Sequence, residues 1–176
     1  METKMCAFLR GVNINGKSMK MSDVCDVFRQ GSVQNVGSVL ATGNILFESS
    51  LAKADLRLAL EDSMSKHYET NVSLFIKDKD EIEMMLMGSP FPTSPDLHIY
   101  AFICENGFEE ILMDKFNRIT PVANEQAYIN GGQFYWQVSK GSTLDSGFSK
   151  ILGEKKIKDQ FTSRNINTIK KIFDKM

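Results

Sequence analysis

Val36-Gly37-Ser38-Val39-Leu40-Ala41-Thr42-Gly43-Asn44-Ile45-Leu46-Phe47 is the stretch on which the reading of the fold turns. Two apolar runs, Val36 to Ala41 and Ile45 to Phe47, flank Thr42-Gly43-Asn44, a spacing and composition suited to a tight hairpin. An antiparallel pair here gives meaning to both flanks. Upstream, Met5-Cys6-Ala7-Phe8-Leu9 is an apolar strand that stops at Arg10-Gly11. Val24, Val27 and Phe28 then recur at helical spacing behind a Ser22 cap, with Asp23 in the first turn and Gly31 at the end. Downstream, Leu56, Leu60 and Met64 form one face of a long helix that begins near Ser49 or Ser50. Glu69-Thr70-Asn71 breaks that helix before Val72, Leu74 and Ile76 alternate as a strand. The order is β-α-β-β-α-β, the split arrangement called ferredoxin-like, with two helices on one face of a mostly antiparallel sheet.

The second half repeats this grammar. Leu97 to Cys104 reads as a strand, and Phe108, Ile111, Leu112 and Phe116 as a helix face. Two strands, Gln126 to Ile129 and Phe134 to Val138, surround Asn130-Gly131-Gly132, and a helix follows near Asp145 to Leu152. The last strand of this half is expected as a poor one near Ile157. Between the halves, Asp78 to Met87 reads as a connecting helix with a capping-box pair at Asp78 and Glu81. Three of the four prolines follow it in Gly88-Ser89-Pro90-Phe91-Pro92-Thr93-Ser94-Pro95. The expectation is an α/β protein of α+β type: a ferredoxin-like unit over 1–77, a connecting helix and proline-rich linker over 78–96, and a second ferredoxin-like unit with a C-terminal helix over 97–176. The halves share element order without convincing sequence identity.

Composition narrows the functional classes. With 42% hydrophobic and 24% charged residues in 176, the chain has the balance of an ordinary globular protein and enough length to bury a core. A net charge of −1, from 21 basic and 22 acidic residues, supplies no overall field for a nucleic-acid backbone or an anionic membrane. Cys6, Cys25 and Cys104 are odd in number and widely spaced, and Met1-Glu2-Thr3-Lys4 leads straight into a strand, so the chain reads as cytoplasmic. No apolar stretch is long enough to span a bilayer. His67 and His98 lack ligand-spaced partners, and neither a metal nor a cofactor is implied. No G-x-S-x-G elbow is present. Phe134, Tyr135 and Trp136 alternate across a strand and read as packing, and Met84, Met85 and Met87 as helical core filler.

Two polar segments point to a site. Gly11-Val12-Asn13-Ile14-Asn15-Gly16-Lys17-Ser18 satisfies G-x-x-x-x-G-K-[ST], the phosphate-cradling pattern. A working loop of that kind needs a helix that starts at the Gly-Lys step within a parallel β-α-β unit. Here the helical period begins near Ser22 and the hairpin order argues for an antiparallel sheet, so nucleotide-dependent phosphoryl transfer through Lys17 is the alternative reading. The second segment begins the last helix, with Thr162 as N-cap and Phe161 and Ile166 as a hydrophobic staple. Arg164 then falls in the first helical turn, against the helix dipole, where acids are preferred. Beside backbone N–H groups, with Asn165, Asn167 and Thr168 nearby, it suits a phosphate or carboxylate, and an internal ion pair suits it equally. Arg10, with Asn13 and Lys17 after it, can form the opposite wall.

Phe8-Leu9-Arg10-Gly11-Val12-Asn13-Ile14-Asn15-Gly16-Lys17, followed by Lys20-Met21, resembles the opening of the bacterial family named domain of unknown function 1697. Thr42-Gly43-Asn44-Ile45-Leu46-Phe47 is similar to that family's Ser-Gly-Asn-Val-Val-Phe hairpin. Thr162-Ser163-Arg164-Asn165-Ile166-Asn167-Thr168 resembles its Thr-x-Arg-Asn-Trp-Asn-Thr signature, with Ile166 in place of Trp. The resemblance runs along nearly the whole chain and implies a two-part α/β protein without an assigned function. The combined expectation is a binding protein in which Arg10, Asn13, Lys17, Asn44, Arg164, Asn165 and Asn167 gather around a small anionic ligand. An interaction module that pairs an open sheet face or edge with a second copy is the remaining alternative.

Overall fold

The computed structural model describes residues 2–14 and 17–176. The chain divides into two compact units, Met1–Glu83 with Lys171–Met176, and Met84–Lys170. The division falls inside a helix, upstream of the proline-rich stretch.

The first unit contains β1 (Thr3–Leu9), a two-residue ladder of β2 (Asn13–Ile14) with β3 (Lys17–Ser18), α1 (Met21–Arg29), β4 (Gln34–Ser38), β5 (Asn44–Ser49), α2 (Lys53–Tyr68), β6 (Leu74–Asp78) and the start of α3 (Lys79–Met87). Its sheet runs β4-β5-β1-β6, with every pairing antiparallel. Two antiparallel steps make a parallel relation, so β1 and β4 run the same way with β5 between them, as do β5 and β6 with β1 between them. Each β-α-β crossover is therefore split by a strand, which is the ferredoxin-like arrangement. Met5, Ala7 and Leu9 alternate into a core shared with Ile45, Phe47 and Leu74, under Val24, Val27 and Phe28 of α1 and Leu56, Leu60 and Met64 of α2. Each of these side chains except Ala7 contributes about 1.5–3 kcal/mol on burial.

The hairpin that organised the sequence reading joins β4 to β5. Gly43 has a positive φ of 76°, and a Cβ there would lie 2.8 Å from Val12 Cγ1 and 2.9 Å from Leu9 Cβ, so a side chain is excluded twice over. The fully buried Asn44 donates from Nδ2 to Val39 O and to Thr42 Oγ1, both at 2.9 Å, and thereby closes the turn. At the end of β6 the capping box forms as the sequence predicts. Glu81 N donates to Asp78 Oδ1 at 3.0 Å and Asp78 N donates to Glu81 Oε2 at 2.9 Å. Lys53 Nζ bridges the two carboxylates at 2.8 and 2.6 Å.

The second unit contains β7 (Leu97–Cys104), α4 (Phe108–Asn117), β8 (Gln126–Asn130), β9 (Gln133–Ser139), α5 (Gly147–Leu152), β10 (Phe161–Asn165) and most of α6 (Ile166–Phe173). Its order, β10-β7-β9-β8, is again antiparallel throughout and repeats the split crossovers. The core here is aromatic: Phe102 meets Phe134 edge to face at 5.0 Å, and Phe148 meets Phe116 at 5.3 Å and Trp136 at 5.5 Å. The buried Glu125 carboxylate accepts from Trp136 Nε1 at 3.0 Å, from Val122 N at 2.9 Å and from the Ser146 hydroxyl that caps α5.

Several sequence expectations change: α1 starts at Met21 behind Lys20, so Ser22 is not its cap, and α2 starts at Lys53 rather than near Ser49 or Ser50. The last strand is β10 rather than a segment near Ile157, and it consumes the residues read as a helix start. Phe161 faces the aromatic core, 5.2 Å from Phe102, instead of stapling the helix, and α6 begins only at Ile166. Met84 and Met87 are 64% and 80% exposed while Met85 is buried, because neighbouring positions on one helix cannot share a face.

Candidate functional site

β1 delivers Arg10 to the end of the first sheet, where Arg10 N donates to Ser73 O at 3.0 Å and Gly11 turns the chain with a φ of 76°. The β2–β3 ladder then folds back, and Met19 N donates to Val12 O at 2.7 Å. Facing this loop is the turn that ends α2. Glu69 takes a left-handed conformation, Thr70 N donates to Ser65 O at 3.2 Å and Val72 N to Ser65 Oγ at 3.0 Å. Between loop and turn lies a pocket of about 290 Å³ with Arg10, Asn13, Thr70 and Asn71 as its polar lining and Met19 and Val72 as apolar floor. That volume is near the lower end of small-molecule sites, roughly 300–1,000 Å³. A guanidinium fork and side-chain amides are donors matched to carboxylate or phosphate oxygens.

The described residues on either side of the glycine-rich segment lack the setting of a nucleotide loop. Among the described residues, Lys17 lies in a two-residue strand, α1 begins only at Met21, and both strands paired with β1 are antiparallel to it, so neither a helix starting at the lysine nor an adjacent parallel strand accompanies the segment. Asn15 and Gly16, and the side chain of Lys17, lie outside the described part of the structure.

Of the remaining residues read from the sequence, Asn44 belongs to the same unit, in the hairpin that receives Leu9 N on Gly43 O at 2.8 Å. Arg164, Asn165 and Asn167 belong to the second unit. Arg164 is a buried strand residue, not a first-turn helical one, so the dipole argument does not apply to it. Its Nη1 donates to Thr162 Oγ1 at 2.7 Å and to Ser163 O at 2.8 Å. Register places Arg164 opposite Ala101 and Asn165 opposite Tyr100, so the two side chains leave opposite faces of the sheet. Asn165 is the capping residue of α6: its Oδ1 accepts from Asn167 N at 2.9 Å. Its Nδ2 lies 3.2 Å from His98 Nδ1.

Thr70, Asn71 and His98 were missed as partners. The first two were legible as a polar break after a helix, but nothing in their spacing tied them to Arg10. Among the described residues, no group of three or more His, Cys, Asp or Glu is placed to hold a metal, and no helix is long and apolar enough to cross a membrane.

A family pattern described as a protein of unknown function, DUF1697, matches residues 2–135, about three quarters of the sequence. The chain belongs to the DUF1697 family. The matched span takes in residues 2–83 of the first unit, with the β1–α1 loop and pocket, and the DUF1697 pattern ends within β9. No curated protein matches the sequence. Among solved structures, a conserved bacterial protein from Streptococcus pneumoniae is similar over 99% of this chain and 98% of its own, at 22% identity and a TM-score of 0.80. That likeness shows that the fold is shared by two sequences only 22% identical.

Proposed function

We propose that the protein binds a small anionic ligand, a phosphate or a carboxylate, in the pocket at the end of β1. The observation that supports this reading is the convergence of Arg10, Asn13, Thr70 and Asn71 on one small polar pocket built from two segments far apart in sequence. A guanidinium beside two amides and a hydroxyl recognises oxyanions by charge-assisted hydrogen bonds, while Met19 and Val72 favour a ligand with a short apolar edge. Lys17 belongs to the same connection between β1 and α1. In this reading Asn44 shapes the hairpin behind the site, and Arg164, Asn165 and Asn167 organise β10 and the start of α6.

Thermal unfolding in the presence of inorganic phosphate, sugar phosphates, nucleotides and small carboxylates tests the proposal. A true ligand at about one hundred times its Kd stabilises the fold by about 2.7 kcal/mol. Arg10→Ala is expected to abolish that stabilisation, measured as the ligand-induced shift from the variant's own unliganded midpoint. Arg164→Ala lowers the unliganded midpoint but keeps the ligand's increment. Loss of the increment in Arg164→Ala alone would show instead that the C-terminal signature forms the binding wall.

A further inference from the structure

Each four-stranded sheet ends in two outer strands, and β4, β6 and β10 all carry a device that hinders pairing with another chain. In β4 the register shifts between Gln34 and Gly37, and Asn35 takes a positive φ of 51°. On β6, Glu61 receives Leu74 N at 2.9 Å and Glu81 receives Asp78 N at 2.9 Å, so both N–H groups are already taken. On β10 the Arg164 guanidinium donates to Ser163 O at 2.8 Å. Bulges, charges and occupied backbone groups of this kind keep sheet edges from associating.

The remaining outer strand, β8, has none of them. Gln126-Ala127-Tyr128-Ile129-Asn130 carries no charge and no proline, and its ladder to β9 is unbroken. Gly131 and Gly132, with φ of 58° and 75°, make a two-residue turn, and the pair that flanks such a turn, Asn130 with Gln133, is the hydrogen-bonded kind. Alternation then directs the N–H and C=O of Tyr128 toward β9 and those of Ala127 and Ile129 outward, where they form no hydrogen bond with a described residue. Tyr128 is 53% exposed on the face that Asn130 shares, and Asn130 Nδ2 donates to Gly88 O at 2.9 Å, next in the chain to the exposed Met87.

From this edge we infer that β8 pairs antiparallel with β8 of a second copy of the chain, about a two-fold axis through Tyr128. In that register Ala127 lies opposite Ile129 of the partner subunit, and each such pair exchanges both of its N–H···O bonds, so every outward backbone group of the strand is used. Registers centred on Ala127 or on Ile129 would use only one of these residues. Gln126 falls opposite Asn130 of the partner subunit, amide to amide, and Tyr128 meets Tyr128 of the partner subunit at the non-bonded spacing, where side chains approach most closely. A residue that faces its own copy across an axis tolerates no charge, and this strand has none. The self-complementary pattern is what selects a second copy over an unrelated extended peptide. A five-residue edge makes a small interface, so the dimer is reversible.

Sedimentation velocity of the full chain over a wide range of concentrations tests this. The expected result is a reversible monomer–dimer equilibrium, with amide exchange at Ala127 and Ile129 slowing as concentration rises while Tyr128, already bonded to β9, changes little. Tyr128→Lys, at an exposed position that keeps the fold, sets like charges across the axis and should weaken the dimer roughly tenfold or more. Tyr128→Glu should do the same alone, and an equimolar mixture of the two variants should recover the dimer, because opposite charges then meet. Ala127→Pro, which removes an outward N–H and spares the β9 ladder, should also abolish pairing. A monomer at every concentration, a dimer indifferent to the single variants, or a mixture that stays monomeric would overturn the inference. Arg10→Ala should leave the equilibrium unchanged, so failure here is distinguishable from failure of the anion pocket.

Discussion

The two units follow the same strand order but differ between first strand and first helix. In the second, residues 105–107 suffice to carry the chain from β7 into α4. In the first, residues 10–20 intervene between β1 and α1, form the β2–β3 ladder and supply Arg10, Asn13 and Met19 to a pocket. The fold therefore needs only a short turn at this place, and the longer connection packs Val12 and Met19 against the core while Arg10 and Asn13 line the pocket. Connections of this kind, held on a rigid sheet, are where binding residues concentrate.

The hairpins at the same place in each unit sharpen the contrast. Gly43 is wedged against Leu9 and Val12, while Gly131 and Gly132 have positive φ but open space where a Cβ would go. Gly43→Ala is expected to cost about 3 kcal/mol or more in urea unfolding, from backbone strain and the clash together, and Gly131→Ala about 1 kcal/mol. Equal costs would break the claim that the first hairpin is locked onto the loop that builds the pocket.

The next effect is one of alkaline pH in the second unit. Burial pushes the Tyr135 phenol up to about 12, and its hydroxyl donates to Met85 O at 2.9 Å. The folded state thus holds this proton more tightly than the unfolded state, whose phenol titrates near 10. Its contribution is complete below pH 10 and is lost as pH rises toward 12, about 2–3 kcal/mol in all. Tyr135→Phe should flatten that dependence, and an unchanged alkaline limb would exclude Tyr135 as its source.

The first unit responds instead to acid. Burial raises the Asp78 carboxyl, but the hydrogen bond from Lys53, the Glu81 backbone N–H and the Lys53 charge outweigh it and hold the group below its ordinary value. A depressed carboxylate contributes stability above its unfolded pKa, near 3.9, and that contribution disappears as pH falls through the lower folded value. Asp78→Ala should cost about 1 kcal/mol at neutral pH and reduce the acid sensitivity of unfolding. A variant with the same acid limb as the parent would place that sensitivity elsewhere.

Elements with strong periodicity or local chemistry were legible in the sequence. Leu97–Cys104 matches its strand end to end because its apolar run marks it, and the Asp78–Glu81 box forms as written because the contact is local. β10 was not legible. Thr162-Ser163-Arg164-Asn165 is polar and sits directly before an amphipathic helix, so local signals favour a cap, and only pairing with β7 makes it a strand. The site followed the same rule. Arg10 and Asn13 lie in one loop and were read together, whereas Thr70 and Asn71 join them only through the packing of α2 across the sheet. The pairing of Arg164 with Asn165 looked natural as adjacent letters, and strand alternation sends them to opposite faces.

The most direct measurement is an amide NMR titration with inorganic phosphate, comparing the natural chain with Arg10→Ala. The account expects saturable shifts at Asn13, Thr70 and Asn71 that vanish in the variant. Shifts centred on Asn165 and Asn167, or shifts at the pocket that persist without the guanidinium, would contradict it.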